Sequence, residues 1–182
     1  MQLERLRSES ISFHRNLKHH PLMFGLSLPD APTSLYANLL KALLYVTLPL
    51  EQKISDFLQH NPYALDYSFQ PRHSLLIQDL IHLGVTIEYH YSPNTPEINC
   101  TSSLIGALYV LEGSAFGAEL VSRRIAAQQN SIELSFFTQT SCDWTAFTAL
   151  LNTMLLDEDK VIQTTRQCFS LFAEQLNQIS SS

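Results

Sequence analysis

Leu104-Ile-Gly-Ala-Leu-Tyr-Val-Leu-Glu-Gly-Ser-Ala-Phe-Gly-Ala-Glu-Leu-Val-Ser-Arg-Arg124 decides the fold class. It reads as the bulk of one long helix, about Leu104 to Gln128, with Ser102 or Ser103 as its cap. Three of the chain's 5 glycines, Gly106, Gly113 and Gly117, fall inside it. Each costs about 1 kcal/mol relative to alanine in a helix interior. At roughly 100° per residue, the three lie within about 20° of one direction and form a bare stripe. Such a stripe admits either the close approach of a second helix or a flat, bulky ligand against the backbone. Arg124, seven residues past Gly117, continues the stripe and could meet an acidic group at its end.

Helices also flank this one. The first reads from Leu3 to His19, where Pro21 stops it, and a short irregular segment follows. A second runs to about Leu58 from a cap at Thr33 or Ser34, carrying Leu35, Leu39, Leu40, Leu43 and Leu44 at core spacing. Pro49 predicts a kink or break near Val46. Asn61 to Pro71 is a loop, and a third helix spans Arg72 to Tyr91 with a bend near Gly84. Pro93 and Pro96 mark another loop. A polar loop then leads to Asp143, which can cap a final region from Trp144 to Gln178, breaking near Leu155 where Asp157 and Glu158 start a new helix. With no internal repeat or linker, the fold expected is all-α, one multi-helix domain over residues 1–182.

Composition narrows the function. At 45% hydrophobic and 15% charged, the 182 residues can build a core. The net charge of −6 argues against nucleic-acid binding. No stretch is apolar for long enough to insert into a membrane, and nothing resembles a signal peptide. The cysteines Cys100, Cys142 and Cys168 are odd in number and lack C-x-x-C spacing, so a cytoplasmic protein without disulfides is expected.

None of the 7 histidines forms an H-x-x-x-H pair, and there is no E-x-x-H. A histidine acting alone as axial ligand to a preformed macrocycle is the metal chemistry left open. His14 suits it best, because Arg7, Ile11, His14 and Lys18 share one stripe of the first helix and place cations a turn or two from the imidazole. A plain surface or core histidine is the alternative reading.

Together these elements resemble the haem oxygenase family, in particular its bacterial biliverdin-producing branch. Leu6-Arg-Ser-Glu-Ser-Ile-Ser-Phe-His14 resembles the opening helix, and Gly106-Ala-Leu-Tyr-Val-Leu-Glu-Gly-Ser-Ala-Phe-Gly117 the distal helix. Arg72 to Gly84, Trp144 to Phe147 and a last helix centred on Phe169 follow in the order the family shows. The resemblance implies that His14 ligates the haem iron, that Gly113, Ser114 and Gly117 line the catalytic face, and that Arg7 pairs with a propionate; Lys18 and Arg124, by their places on the two stripes, are the further cations expected to bind the cofactor's acidic edge. It implies haem as both substrate and cofactor, opened with O2 and external electrons to biliverdin, carbon monoxide and iron. The partners implied are a reductase or ferredoxin as donor and a phytochrome as one acceptor of biliverdin. Three departures stand out: Ala118 replaces the second of a glycine pair, Ser114 stands where animal members carry an acid, and Thr148 and Asn152 replace basic residues. They motivate an alternative, a non-catalytic haem-binding or haem-transfer protein of the same fold. A cysteine hydrolase of the related thiaminase-like fold is a further alternative, for which neither Cys100 nor Cys168 has an evident partner in sequence.

Overall fold

The computed structural model describes residues 3–25, 31–88, 92–140 except 128–134, and 142–181, with side chains left undescribed over 119–127. Eight helices stand among the described residues: α1 (Leu3–Lys18), α2 (Pro21–Gly25), α3 (Thr33–His60), α4 (His73–His82), α5 (Thr101–Ala127), α6 (Ser135–Gln139), α7 (Trp144–Thr153) and α8 (Glu158–Ser180). The fold is all-helical, as the apolar periodicity of the sequence requires.

The last helix organises the rest. α5, α3 and α1 all pack on α8, whose buried residues include Val161, Thr165, Cys168, Phe169, Phe172 and Leu176. α3 buries Tyr36, Leu39, Leu40, Leu44, Val46, Leu50 and Ile54. The contact of α5 with α8 is the closest in backbone terms. A Cβ added at Gly106 would sit 2.6 Å from the Val161 carbonyl oxygen and 2.8 Å from Thr164 Cβ. Thr165 Oγ1 donates to the Gly106 carbonyl at 3.1 Å. At this end of the glycine stripe, close helix packing is therefore what offsets the glycine's helical cost.

Buried carboxylates start two of the shorter helices. Glu51 of α3 accepts from the Arg72 and His73 amides at 2.7 and 3.0 Å, and pairs with His73 Nδ1 at 2.7 Å. Asp79 of α4 accepts from the Ser135 and Phe136 amides at 2.7 and 2.8 Å, starting α6. In each case a carboxylate satisfies amides that the first turn leaves unpaired and sits at the positive end of the helix dipole.

Several boundaries differ from the sequence reading. Pro21 stops α1 but opens α2, where its missing N–H costs nothing at the first helical position. α3 runs unbroken through Pro49, held by its packing on both sides, and begins after Pro32 with no side-chain cap from Thr33 or Ser34. α4 ends at His82 instead of reaching Tyr91. Gly84 takes φ +69°, and the Val85 and Gly84 amides donate back to Leu80 and Ile81 at 2.9 Å, a Schellman ending that bends the chain away. α5 starts at Thr101, capped from Cys100 and not from Ser102 or Ser103. Ser103 Oγ instead accepts from the Asn99 and Cys100 amides at 3.0 and 3.1 Å. The polar segment before Asp143 contains the short α6 where a loop is expected. Asp143 caps α7 through the Ala146 amide at 2.8 Å, and Asp157 caps α8 through the Lys160 amide at 3.1 Å, with the break between them near Leu155.

Gly106→Ala should lower stability by about 1–3 kcal/mol through overpacking against Val161 and Thr164, despite the better helix propensity of alanine. Urea denaturation checks it, and an unchanged midpoint would show that the two helices can part without cost.

Candidate functional site

α1 turns its buried residues Leu6 and Ser10 toward α8. On one flank of that face lie Arg7, Ile11, His14 and Lys18; on the other lie Arg5, Glu9 and Phe13. The second flank is engaged with protein: Arg5 pairs with Glu158 and Asp159 at 2.6 and 2.7 Å, Glu9 pairs with Arg166, and Phe13 stacks on Phe169 at 6.4 Å. A surface groove of about 910 Å³ runs along this flank between α8 and residues 93–97, and its arginines Arg5 and Arg166 are occupied by those carboxylates.

The His14 flank is different. Its imidazole meets the edge of Phe169 at 6.5 Å yet remains exposed to solvent. Ile11 is 54% exposed. Arg7 and Lys18 are exposed and take part in no ion pair among the described residues. The helix thus offers an exposed histidine that touches the fold only at the Phe169 edge, an exposed apolar side chain and two exposed cations.

The glycine helix lies at the same level. α1 and α5 both run in the direction of α8. Arg5 meets Glu158 and His14 meets Phe169 on one side, while Ser102 meets Asp157 and Gly106 meets Val161 on the other. Phe169 lies about two turns beyond Val161, and about two turns beyond Gly106 is Gly113. Among the described residues, α1 and α5 do not pack on each other. His14 and Gly113 are therefore brought to one height on α8 from two helices that rest on it separately.

The glycine stripe divides into three environments. Gly106 is filled by α8. At Gly113 a Cβ would meet the Trp144 ring at 3.8 Å, an ordinary contact. At Gly117 no group of the described residues lies within 4 Å of that position. Beside it Phe116 is 49% exposed. Ala118, which stands where a second glycine was expected, is 3% exposed, so its methyl enters the core and leaves the stripe bare. Gly113, Ser114 and Gly117 are half-buried. Trp144, first residue of α7, stacks on Phe116 at 6.1 Å and packs on Tyr109 and Phe147 at 5.6 and 5.8 Å. The side chain of Arg124 lies outside the described residues.

A buried polar cluster adjoins this face and escaped the sequence reading. Glu112, next to Gly113, is 0% exposed and accepts from Arg72 at 2.9 Å. Tyr67 and Cys142 are its other neighbours, with the hydroxyl 4.0 Å from the sulfur. Burial and then Glu112 push the Tyr67 hydroxyl well above its ordinary range, and the same causes push the Cys142 thiol up to about 12. A thiol so placed is a poor nucleophile, which weighs against cysteine hydrolase chemistry here. The signal was available: Glu112 is the one charged residue between Leu104 and Ala118.

Cys100 behaves oppositely. Partial burial raises its thiol, but hydrogen bonds from Ser103 and the Ser102 and Ser103 amides, with Lys160 nearby, outweigh it and bring the thiol below its ordinary value. Cys168 is fully buried and pushed up to about 12 by burial alone.

No protein-family model and no curated protein sequence matches the chain. Solved structures do. The NO- and CO-bound heme oxygenase of Neisseria meningitidis superimposes with a TM-score of 0.75 at 21% identity, over 97% of this chain and 90% of that one. Heme oxygenase-1 of the cyanobacterium Synechocystis, in complex with heme, gives 0.73 at 14% identity over 98% and 91%. The heme oxygenase of Leptospira interrogans gives 0.69 at 19% identity over 95% and 97%. At these identities the likeness establishes the fold. No described helix is long and apolar enough to cross a membrane.

The three thiols should separate by reactivity. At near-neutral pH iodoacetamide should label Cys100 first, Cys142 at least tenfold more slowly, and Cys168 only on unfolding. Mass spectrometry of timed digests reads the order, and prior labelling of Cys142 would contradict the cluster around Glu112.

Proposed function

We propose that the chain is a haem oxygenase. The observation that carries this reading is the pair of unused faces on α8: the exposed His14 flank of α1 and the bare backbone at Gly117 of α5. A flat macrocycle with a central metal and acidic edges suits both. The apolar surfaces of Ile11 and Phe116 would cover its rings, and the open position at Gly117 is a cradle that any side chain would fill. The likeness to heme oxygenase structures over nearly the whole chain supports the same reading.

Haem, both substrate and cofactor, would supply the iron on which O2 reacts and would itself be opened to biliverdin, carbon monoxide and iron. The protein's part is to hold and orient it. His14 would ligate the iron through a ring nitrogen, with the Phe169 edge limiting how the imidazole turns. Arg7 and Lys18, exposed on the same flank, would pair with the propionates, and Arg124 enters by its place on the glycine stripe. Gly113 and Gly117 would let the α5 backbone approach the opposite face and restrict where O2 can lie. The Ser114 hydroxyl would hold water there. Trp144, already packed at Gly113, would border the ring and exclude solvent from that side. A reductase or ferredoxin would deliver electrons, docking near Arg123 and Arg124, and a phytochrome is one acceptor for the biliverdin. With all three cysteines unpaired, the cytoplasm is the compartment proposed.

Haem titration of wild type against His14→Ala tests the ligand. Wild type should give a histidine-ligated Soret band that His14→Ala loses, while His19→Ala and His20→Ala retain it; an unchanged spectrum in His14→Ala would remove the assignment. Adding reductant and O2 then separates the enzyme from a haem-transfer protein, because the enzyme forms biliverdin and a carrier keeps its Soret band.

Gly117→Ala should stabilise the haem-free protein by up to about 1 kcal/mol. It should also weaken haem binding several-fold, since its methyl would occupy the open position. Equal haem affinity in this variant would place the ligand elsewhere.

A further inference from the structure

The groove of about 910 Å³ between α1, α8 and residues 93–97 takes no part in the proposed haem site. Along it α8 presents Gln163, Gln167, Ser170 and Glu174, whose spacing of four, three and four puts them on one face. Arg5, Glu9 and Phe13 of α1 border that stripe on one side. The segment from Pro93 to Glu97 borders it as well, and it is tied down. Asn94 donates to Glu174 at 2.8 Å, and Lys53 of α3 donates to the Thr95 carbonyl at 3.1 Å and pairs with Glu97. The charge of the groove is one-sided. Glu9, Glu97, Asp159 and Glu174 line it against Arg5 and Arg166. Both arginines are taken, Arg5 between Glu158 and Asp159 and Arg166 by Glu9. Glu174 pairs with no cation among the described residues; the Asn94 and Gln178 amides donate to it. Gln163, Gln167 and Ser170 are exposed and make no side-chain hydrogen bond to the described residues.

We propose that this groove binds an extended basic peptide segment of a partner protein, with one of its cations seated on Glu174. Charge complementarity sets the sign, because an anionic segment would meet carboxylates that no cation of the groove is left to offset. Length and hydrogen bonding set the form. From Asp159 to Glu174 the helix rises about 22 Å, the span of about six or seven residues of extended chain. A primary amide both donates and accepts, so Gln163 and Gln167 match the N–H and C=O groups of such a main chain. A compact cation would satisfy Glu174 and leave that stripe unused. On α1 the groove flank lies nearly opposite the stripe of Arg7, Ile11, His14 and Lys18. A segment seated here therefore leaves the His14 flank uncovered, and the proposal does not depend on the haem oxygenase reading.

Amide NMR shifts of the haem-free full chain test it, with an end-blocked hexapeptide of four lysines and two alanines as the probe. The peptide should shift the amides of Gln163, Gln167, Ser170 and Glu174 and should bind more weakly as salt rises. The same peptide with glutamate for lysine should shift none of them. Shifts absent from α8, or scattered over the acidic surface, overturn the proposal. Spermine carries as many cations without a peptide main chain and should bind several-fold more weakly; equal binding overturns the peptide assignment. Glu174→Gln should weaken the lysine peptide about two- to fivefold, the range of one exposed ion pair, while Asp56→Asn, an exposed carboxylate of α3 outside the groove, should not. Gln167→Ala should also weaken it several-fold through lost main-chain hydrogen bonds. Unchanged affinity in either groove variant overturns the proposal. Should Glu174→Gln disturb the fold, seen as shifts throughout α8 before any peptide is added, Gln167→Ala carries the test alone. His14→Ala should bind the peptide as wild type does, whatever its haem spectrum; weakened binding there would place the peptide on the other flank of α1 and overturn the proposal.

Discussion

The closeness of α5 to α8 at Gly106 is the constraint on which the rest depends. With any side chain there, the Val161 carbonyl and Thr164 would have to move away. The Thr165 hydroxyl would then lose its hold on the Gly106 carbonyl. This contact fixes the height of α5 on α8. The ion pairs of Arg5 and Glu9 and the packing of Phe13 and His14 on Phe169 fix that of α1. Because both helices are referenced to one surface, their free faces come to a common level. The space between these two walls is set by α8, on which both rest, and by α7, which meets each of them.

The glycine stripe shows how one sequence pattern can serve two ends. Gly106 is absent a side chain for the sake of a neighbouring helix, while Gly117 is bare, with no group of the described residues against it. Both readings of the stripe are realised, at different turns of one helix, and Gly113 lies between them under the edge of Trp144. The charge pattern divides in the same way along α1, with Arg5 tied into the fold and Arg7 exposed.

What could be read in advance follows the range of the interaction involved. Apolar periodicity marked the helices, and Asp143 and Asp157 announced the starts of α7 and α8 because a cap acts on amides in its own sequence neighbourhood. His14 and the glycines were legible as a stripe on each helix, but their common height was not, since it is a property of three helices together. Pro49 failed as a breaker because the packing around α3 outweighs the loss of one hydrogen bond. The β-branched run Val85, Thr86 and Ile87 marked a bend near Gly84, but the left-handed turn that Gly84 accepts ends α4 there instead of letting it continue to Tyr91. The Glu112 cluster drew its members from positions 40 and 75 residues apart in the chain, beyond what spacing can show.

The carboxylates of Glu51 and Asp79 imply an order of assembly. α4 has 10 residues and α6 only 5, each too short to persist alone in water. α4 begins on a carboxylate presented by α3, and α6 on one presented by α4. Each helix therefore has a ready nucleus only once its predecessor has formed and docked. Folding along this edge would propagate as a relay from α3 outward, with α6 closing last and opening first.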